Sequence, residues 1–526
     1  MEQRLEALLN DLGRAETLAG SDLARSLRRT SWLAEAAGDS LDEFLQAAAR
    51  LPTPLAKQAD QMLAAALGGV VRQRLAAAGP TAADAGLGDS IERLYGALGK
   101  SSLARAHLLA WLALGDKSEL ERLADLLISD PPAEDAQVMQ AIAPLFRRGG
   151  LPVENLFPRL LDALEHRQLA APILDLANYL TREGLVAEHP AAERSGQLIV
   201  LLGDLTQSLL QLEENSESAG LSPVELSRRI AGCISLSVSL CDALGLIGNR
   251  EAVGKLTQTI EIRHRRLRTE AAAALARLGD PRGADELVLL AAEPVARLRV
   301  LAYAGELGLE DKIDPALQTA QARAESELVV WLSEPTQFGI PPSSMELFDH
   351  RRQFWPGYQE PVECFLFRFT YAVTVEGEGE RSFSNIGIAG PLAHAFLVDL
   401  ADLPPDDIYA AYAGWQAEHE EIREYDVASL SRSEKLEVER LVRRLHDAQF
   451  TAIEPQRMGY FFGGKALIAA AARDGMTGVA IADFDEIDFF PRRHSRRPLG
   501  AAECYCIYKG RKLLKLFNHG EQPPAE

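Results

Sequence analysis

The stretch LCDALGLIGNREAVGKL (240–256) is echoed by AAAALARLGDPRGADEL (271–287) at an offset of about 31 residues, and a repeat of that length constrains a fold more than any single motif. In register, Ala243 meets Ala274, Leu244 meets Leu275, Ile247 meets Leu278 and Gly248 meets Gly279. The same shift carries Arg268 to Arg299, Ala271 to Ala302, Ala273 to Ala304, Leu278 to Leu309 and Asp280 to Asp311. The unit at 271–287 reads as a helix with a small alanine face, Gly279 where a left-handed cap is wanted, and Asp280-Pro281 opening the next helix. Two helices cannot bury both faces alone, so such units must stack.

The pattern extends upstream. LLAWLALGDKSELERLADLL (108–127) repeats it around Gly115 and Asp116, Gly184 closes another helical segment, and Ser222 with Glu225 forms a capping box. The first hundred residues are also helical in pattern, with breaks at Gly20, Gly38, Pro52, Pro54, Gly79 and Pro80. Composition agrees: 47% of the 526 residues are hydrophobic but only 6% aromatic, a balance rich in Ala and Leu that favours helices over sheets. The units from about 236 to 313 resemble HEAT-like repeats of the bacterial, phycobilisome-lyase type, on Arg268-x-x-Ala271 and Arg299-x-x-Ala302 and the turns at 278–280 and 309–311. The resemblance implies a helical solenoid that serves mostly as a protein-binding scaffold. Some proteins with such repeats are bilin lyases, and some alkylpurine DNA glycosylases share the architecture. No residue here matches a lyase site.

Beyond Trp331 the period stops. The proline-rich 333–361 reads as a linker or strap. ECFLFRFTYAVTV (363–375) alternates Phe365, Phe367, Phe369, Tyr371, Val373 and Val375 onto one face of a strand, and EGEGE turns it back into RSFSNIGIAG. PLAHAFLVDLA, PPDDIYAAYAGWQAEHEEI, SRSEKLEVERLVRRLHDAQ and GKALIAAAARD read as helices; GVAIADFDEIDFF, ECYCIYK and RKLLKLF read as strands. The expected fold is therefore mainly α: a helical N-terminal cap region (1–80), a HEAT-like α-solenoid (81–332), the linker, and a smaller α+β domain (362–526).

GYFFGGKA (459–466) satisfies G-x-x-x-x-G-K, the core of a phosphate-binding loop. Ala466 stands where Ser or Thr should hold magnesium, Pro455 interrupts the approach, and the expectation is a tight turn at Gly463-Gly464 leading into a helix. Asp483 and Asp485 alternate onto one strand face and, with Asp488, pose a metal question that spacing alone leaves open. Cys504 and Cys506 fall on one side of a strand but lack the partners a zinc site needs. His394 follows Gly387, Gly390 and Pro391 in what reads as the first turn of a helix, where a packed histidine is favoured over a general acid or base. No catalytic set, metal site or cofactor is expected. Five cysteines in so long a chain do not form a disulfide framework, the N-terminus has no apolar signal core, and LIVLL (198–202) is too short to span a bilayer, so a cytoplasmic protein is expected.

The formal net charge is -21, which opposes nucleic-acid and anionic-lipid binding overall. Against that field arginines concentrate at Arg263, Arg265, Arg266 and Arg268, at Arg297 and Arg299, and at Arg492, Arg493, Arg496 and Arg497 in a loop between strands. The 268/299 pair matches the arginine that is structural in HEAT-like repeats. Arg266 and Arg297, stacked at the repeat spacing, and the 492–497 loop are the candidate contacts for an acidic protein partner or a phosphorylated ligand. The expected function is a non-catalytic interaction scaffold. A metal- or phosphate-dependent enzyme in the C-terminal domain and a HEAT-like nucleic-acid-processing protein are the alternatives.

Overall fold

The computed structural model describes residues 2–15, 30–36, 38–77, 86–148, 151–214, 222–375, 379–495 and 497–518. Gly20, Gly79, Pro80, most of the EGEGE turn and Arg496 lie outside them. The chain is mainly α with a C-terminal α+β region, and it divides into two compact units, Met1–Leu287 and Val288–Glu526, so the boundary falls inside the expected repeat array.

In the first unit the helices are α1 (Glu2–Gly13), α2 (Gly38–Ala48), α3 (Lys57–Ala76), α4 (Gly88–Ala97), α5 (Ala104–Leu112), α6 (Lys117–Ser129), α7 (Asp135–Ile142), α8 (Val153–Asp162), α9 (Arg167–Arg182), α10 (Ser195–Glu214), α11 (Pro223–Ile247), α12 (Val253–Thr259), α13 (Arg265–Arg277) and α14 (Pro281–Ala291), the last crossing the boundary. Alternate helices pack on one another. α3, α5, α7, α9, α11 and α13 form one continuous row, while α2, α4, α6 and α8, then α10 and α12, pack along the other side. One apolar core runs between them from Leu5 to Leu278. The capping boxes are present at Asp116/Glu119 and Ser222/Glu225. The alanine face does what its size allows: a Cβ on Gly245 of α11 would lie 3.0 Å from the Cα of Ala274, so the two backbones nearly touch. Val224–Ile247 is long and apolar enough to cross a membrane, and most of it is buried inside the unit.

The cap glycines are left-handed, with φ of 79° at Gly248, 80° at Gly279 and 65° at Gly308. Asp280 N–H reaches Leu275 O and Leu309 N–H reaches Ala304 O, the six-to-one bond of a Schellman close. The third cap is therefore Gly308, not the position that a constant 31-residue shift selects. Measured from its cap, Arg297 matches Arg268 rather than Arg266, since each lies eleven residues upstream. Gly279→Val should lower stability by about 1 kcal/mol or more, because a β-branched residue resists positive φ; an unmoved denaturant midpoint would contradict the cap.

The second unit contains α15 (Pro294–Leu307), α16 (Ala320–Leu332), β1 (Ser344–Gln353), β2 (Val362–Val375), β3 (Gly379–Ala389), β4 (His394–Ala395), α17 (Pro405–Gln416), β5 (Ile422–Asp426), α18 (Arg432–Asp447), β6 (Thr451–Phe461), β7 (Gly464–Arg473), β8 (Met476–Ala482), β9 (Ile487–Pro491) and α19 (Ala501–Asn518). Two antiparallel sheets result, in the orders β1-β2-β3-β4 and β5-β6-β7-β8-β9. The expected linker thus contains an edge strand, β1. Phe365, Phe367, Phe369 and Tyr371 share a face, as their alternation implies, and pack on Leu328 and Leu332 of α16. Cys364 and Leu366 face Ile408, Tyr409 and Tyr412 of α17.

Four expected elements change type. GKALIAAAARD is β7, held between β6 and β8; its alternating Leu467, Ala469 and Ala471 meet α18, while Ala466 and Ile468 meet α19. ECYCIYK and RKLLKLF are one helix, α19. PLAHAFLVDLA is irregular apart from β4. The helix expected over 404–422 ends at Gln416, and β5 follows.

Candidate functional site

The loop after β9 places the arginines. It joins a strand to α19, not two strands, and begins where Arg492 N–H donates to Thr477 O at 2.7 Å. Arg492, Arg493 and Arg497 are exposed, and none makes a side-chain ion pair among the described residues. The loop borders a cleft of about 530 Å³ lined by Phe338, Ser382, Phe383, Ser384, Leu397, Asp399, His494, Ser495 and Arg497. Asp399 N–H donates to Arg497 O at 2.9 Å, which ties the two walls together. Phe338 stacks on Tyr371 at 4.7 Å between ring centres, and Leu397 is 65% exposed. The hydroxyl of Ser495 is buried, with no hydrogen-bond partner among the described residues. This is a surface with apolar footing and a cationic rim, suited to a peptide or an anion-bearing side chain. Sequence reasoning missed Phe338, Ser382, Phe383, Ser384, Leu397 and Asp399. The helix assigned over 391–401 concealed Leu397 and Asp399, and the two-residue β4 is too short to leave a periodic signal.

The other candidates are placed differently. Arg297 is 3% exposed; its guanidinium donates to Ala291 O, Ala292 O, Ala322 O, Ser326 and, at 2.6 Å, Glu325. It is an internal strut and offers a partner nothing, which corrects its reading as a surface contact. Its cap-register equivalent Arg268 pairs with Glu286. Arg266 is exposed in the first turn of α13, where its charge counters the burial that raises the Asp175 carboxyl.

The phosphate-loop signature is a β-hairpin. Phe461 pairs with Gly464, and the two residues between them, Phe462 and Gly463, have φ of 45° and 80°. Gly463 does turn the chain, into a strand and not a helix. Gly459 is small because the Tyr505 ring lies against it, and Lys465 pairs with Glu437 at 2.7 Å. Pro455 is tolerated in β6 because β5 covers only 457–461 and the β6–β7 ladder bulges beside the proline. Lys465→Ala should show no ATP heat in calorimetry, as for the parent chain, and should cost less than about 1 kcal/mol, since the pair is part-exposed.

Asp483 lies in the β8–β9 turn, not on a strand face with Asp485. Its carboxylate accepts from the amides of Asp485 and Glu486, both at 2.7 Å, from Tyr508 at 2.6 Å and from Lys512 at 2.5 Å. Burial alone would raise its pKa, but the bonds from Lys512, Tyr508 and the two amides prevail and hold it at about 2. Asp488 pairs with Arg511 at 3.2 Å. Among the described residues no three His, Cys, Asp or Glu side chains are arranged to hold a metal ion. Cys504 and Cys506, two apart on a helix, point in different directions; burial pushes their thiols up to about 12 and about 11. His394 sits in β4, stacked on Trp415 at 4.0 Å and edged by Trp331, and burial lowers it to about 4, so it is neutral at physiological pH.

No protein-family model matches this chain, and no curated protein matches it.

Proposed function

We propose that the chain is a non-catalytic interaction scaffold that binds a protein partner. In this reading the first unit is an α-solenoid of HEAT-like repeats, supported by its rows of alternately packed helices and its left-handed glycine caps. The second unit supplies the contact surface. The observation that carries the reading is the arginine loop: in a chain of formal charge -21, Arg492, Arg493 and Arg497 stand exposed, with no side-chain ion pair among the described residues, and Arg497 lines a cleft of mixed polar and apolar walls. Arginines without internal partners in an acidic surface attract acidic ones and steer their approach. Reversing all three to Glu should slow capture of the partner and flatten its salt dependence, while the melting temperature stays within about 2 °C. Capture kinetics indistinguishable from the wild type would refute the role of the loop.

A further inference from the structure

Ser382, Phe383 and Ser384, three consecutive residues of β3, line the cleft. Successive side chains of a strand point to opposite faces, so a cavity bordered by three in a row looks onto the strand's edge. That edge is open. β2 pairs along the whole of β3, from Val375↔Gly379 to Phe365↔Ala389, but β4 pairs on the other side only at Gly387↔Ala395 and Ile388↔His394. The ladder then ends on a side chain: Asn385 donates to Phe396 O and Val398 O and accepts from Leu400 N–H. Among the described residues no backbone hydrogen bond reaches 382–384 from that side. The sheet's opposite edge, β1, carries Glu346, Asp349, His350, Arg351 and Arg352 and a bulge between Leu347 and Asp349, features that discourage strand addition. Ser382–Ser384 has none of them.

We propose that this stretch of β3 accepts an extended acidic segment of a protein partner as an added strand, continuing the sheet where β4 stops. The inference rests on the interaction-scaffold reading and names the ligand of its cleft. The edge-facing amides and carbonyls of alternate residues in 382–384 supply the ladder, and Phe338, Phe383 and Leu397 meet alternate side chains of the guest. Charge complementarity selects an acidic guest: Arg497 lines the cleft, and Arg492 and Arg493 precede it in the same loop. Asp399, the one carboxylate among the lining residues, is engaged by Ala401 N–H at 3.1 Å within its own turn.

The test uses the full chain and a fluorescein-labelled peptide of about ten residues alternating Glu and Val. Anisotropy should show saturable binding that weakens with salt and falls about tenfold or more for Arg497→Glu. In an added strand only every second amide faces the edge, so N-methylating alternate residues should abolish binding in one register and spare it in the other. Hydrogen exchange at 382–384 should slow in the complex. Equal tolerance of both methylation registers, or unchanged exchange at 382–384, would reduce the contact to charge alone and overturn strand addition. No binding up to about 1 mM overturns it as well; if arginine-dependent partner capture persists in that case, the scaffold reading stands without it, and if capture too is independent of the arginines, both fall.

Discussion

Gly510→Val is expected to lower the melting temperature of the C-terminal unit by about 8 °C or more. α17 and α19 cross at two glycines. A Cβ on Gly510 would overlap the carbonyl oxygen and Cα of Ala410, and one on Gly414 would overlap the carbonyl oxygen of Cys506. These are backbone atoms inside helices, so they cannot swing aside as a side chain's end can. The helices must separate, and with them goes the packing of Ile507 on Ile408, Tyr409 and Tyr412. Overpacking usually costs about 1–3 kcal/mol, and here, where backbone must move, about 4 kcal/mol or more, which lowers the melting temperature of a unit of this size by about 8 °C or more. Gly305→Ala in α15 is the control. Its Cβ would meet only Glu310 Oε1, at an ordinary 3.5 Å, so it should be neutral or stabilise by up to about 1 kcal/mol. Equal melting temperatures for Gly510→Val and Gly305→Ala would disprove the glycine crossing.

Asp483→Ala should cost about 2–3 kcal/mol, the scale of leaving buried donors without their charged acceptor. Asp483 is 6% exposed and gathers four donors; its loss leaves Lys512 with Glu486 alone, at 3.0 Å, and Tyr508 without its acceptor. The pH dependence has a definite sign. Its folded pKa of about 2 lies below the usual carboxylate value near 4, so the contribution is fully present above about pH 4 and is lost as pH falls towards 2. Burial disfavours the charged Lys512 amine, but Asp483, Tyr508 and Glu486 outweigh it and raise the pKa, so the pair is intact throughout the neutral range. Asp483→Asn keeps an acceptor for the turn amides and removes the charge. Urea unfolding should therefore show a gap between wild type and Asp483→Asn at pH 6 that narrows steadily from pH 4 downward. A gap independent of pH would mean that the carboxylate is not held ionised by these donors.

Local chemistry was enough to determine the helix punctuation and the long alternating strand. Gly248 and Gly279 are left-handed because only glycine takes that conformation without a Cβ penalty, and the Ser222/Glu225 and Asp116/Glu119 boxes close within four residues of chain. Phe365 to Tyr371 reads correctly because a period of two survives wherever one face is buried. The candidate site was legible in part: the exposed arginines of the loop follow from composition, whereas Arg297 does not betray its burial, since an arginine strut and an arginine contact are the same residue in a sequence.

What the tertiary structure decided is where local preference is weak and non-local pairing is strong. GKALIAAAAR has a helix former at most positions, yet propensity amounts to a few tenths of a kcal/mol per residue, and two neighbouring strands with a helix on each face outweigh it; the alanines then serve to let α18 and α19 approach. The aromatic and β-branched Tyr505, Ile507 and Tyr508 stretch in α19 reads like a strand, but the segment is a helix that packs on α17 at Gly510. The open edge of β3 is the furthest from sequence. It exists because a neighbouring strand stops after two residues, and no property of Ser382, Phe383 or Ser384 records the absence of a partner that some other part of the chain fails to provide.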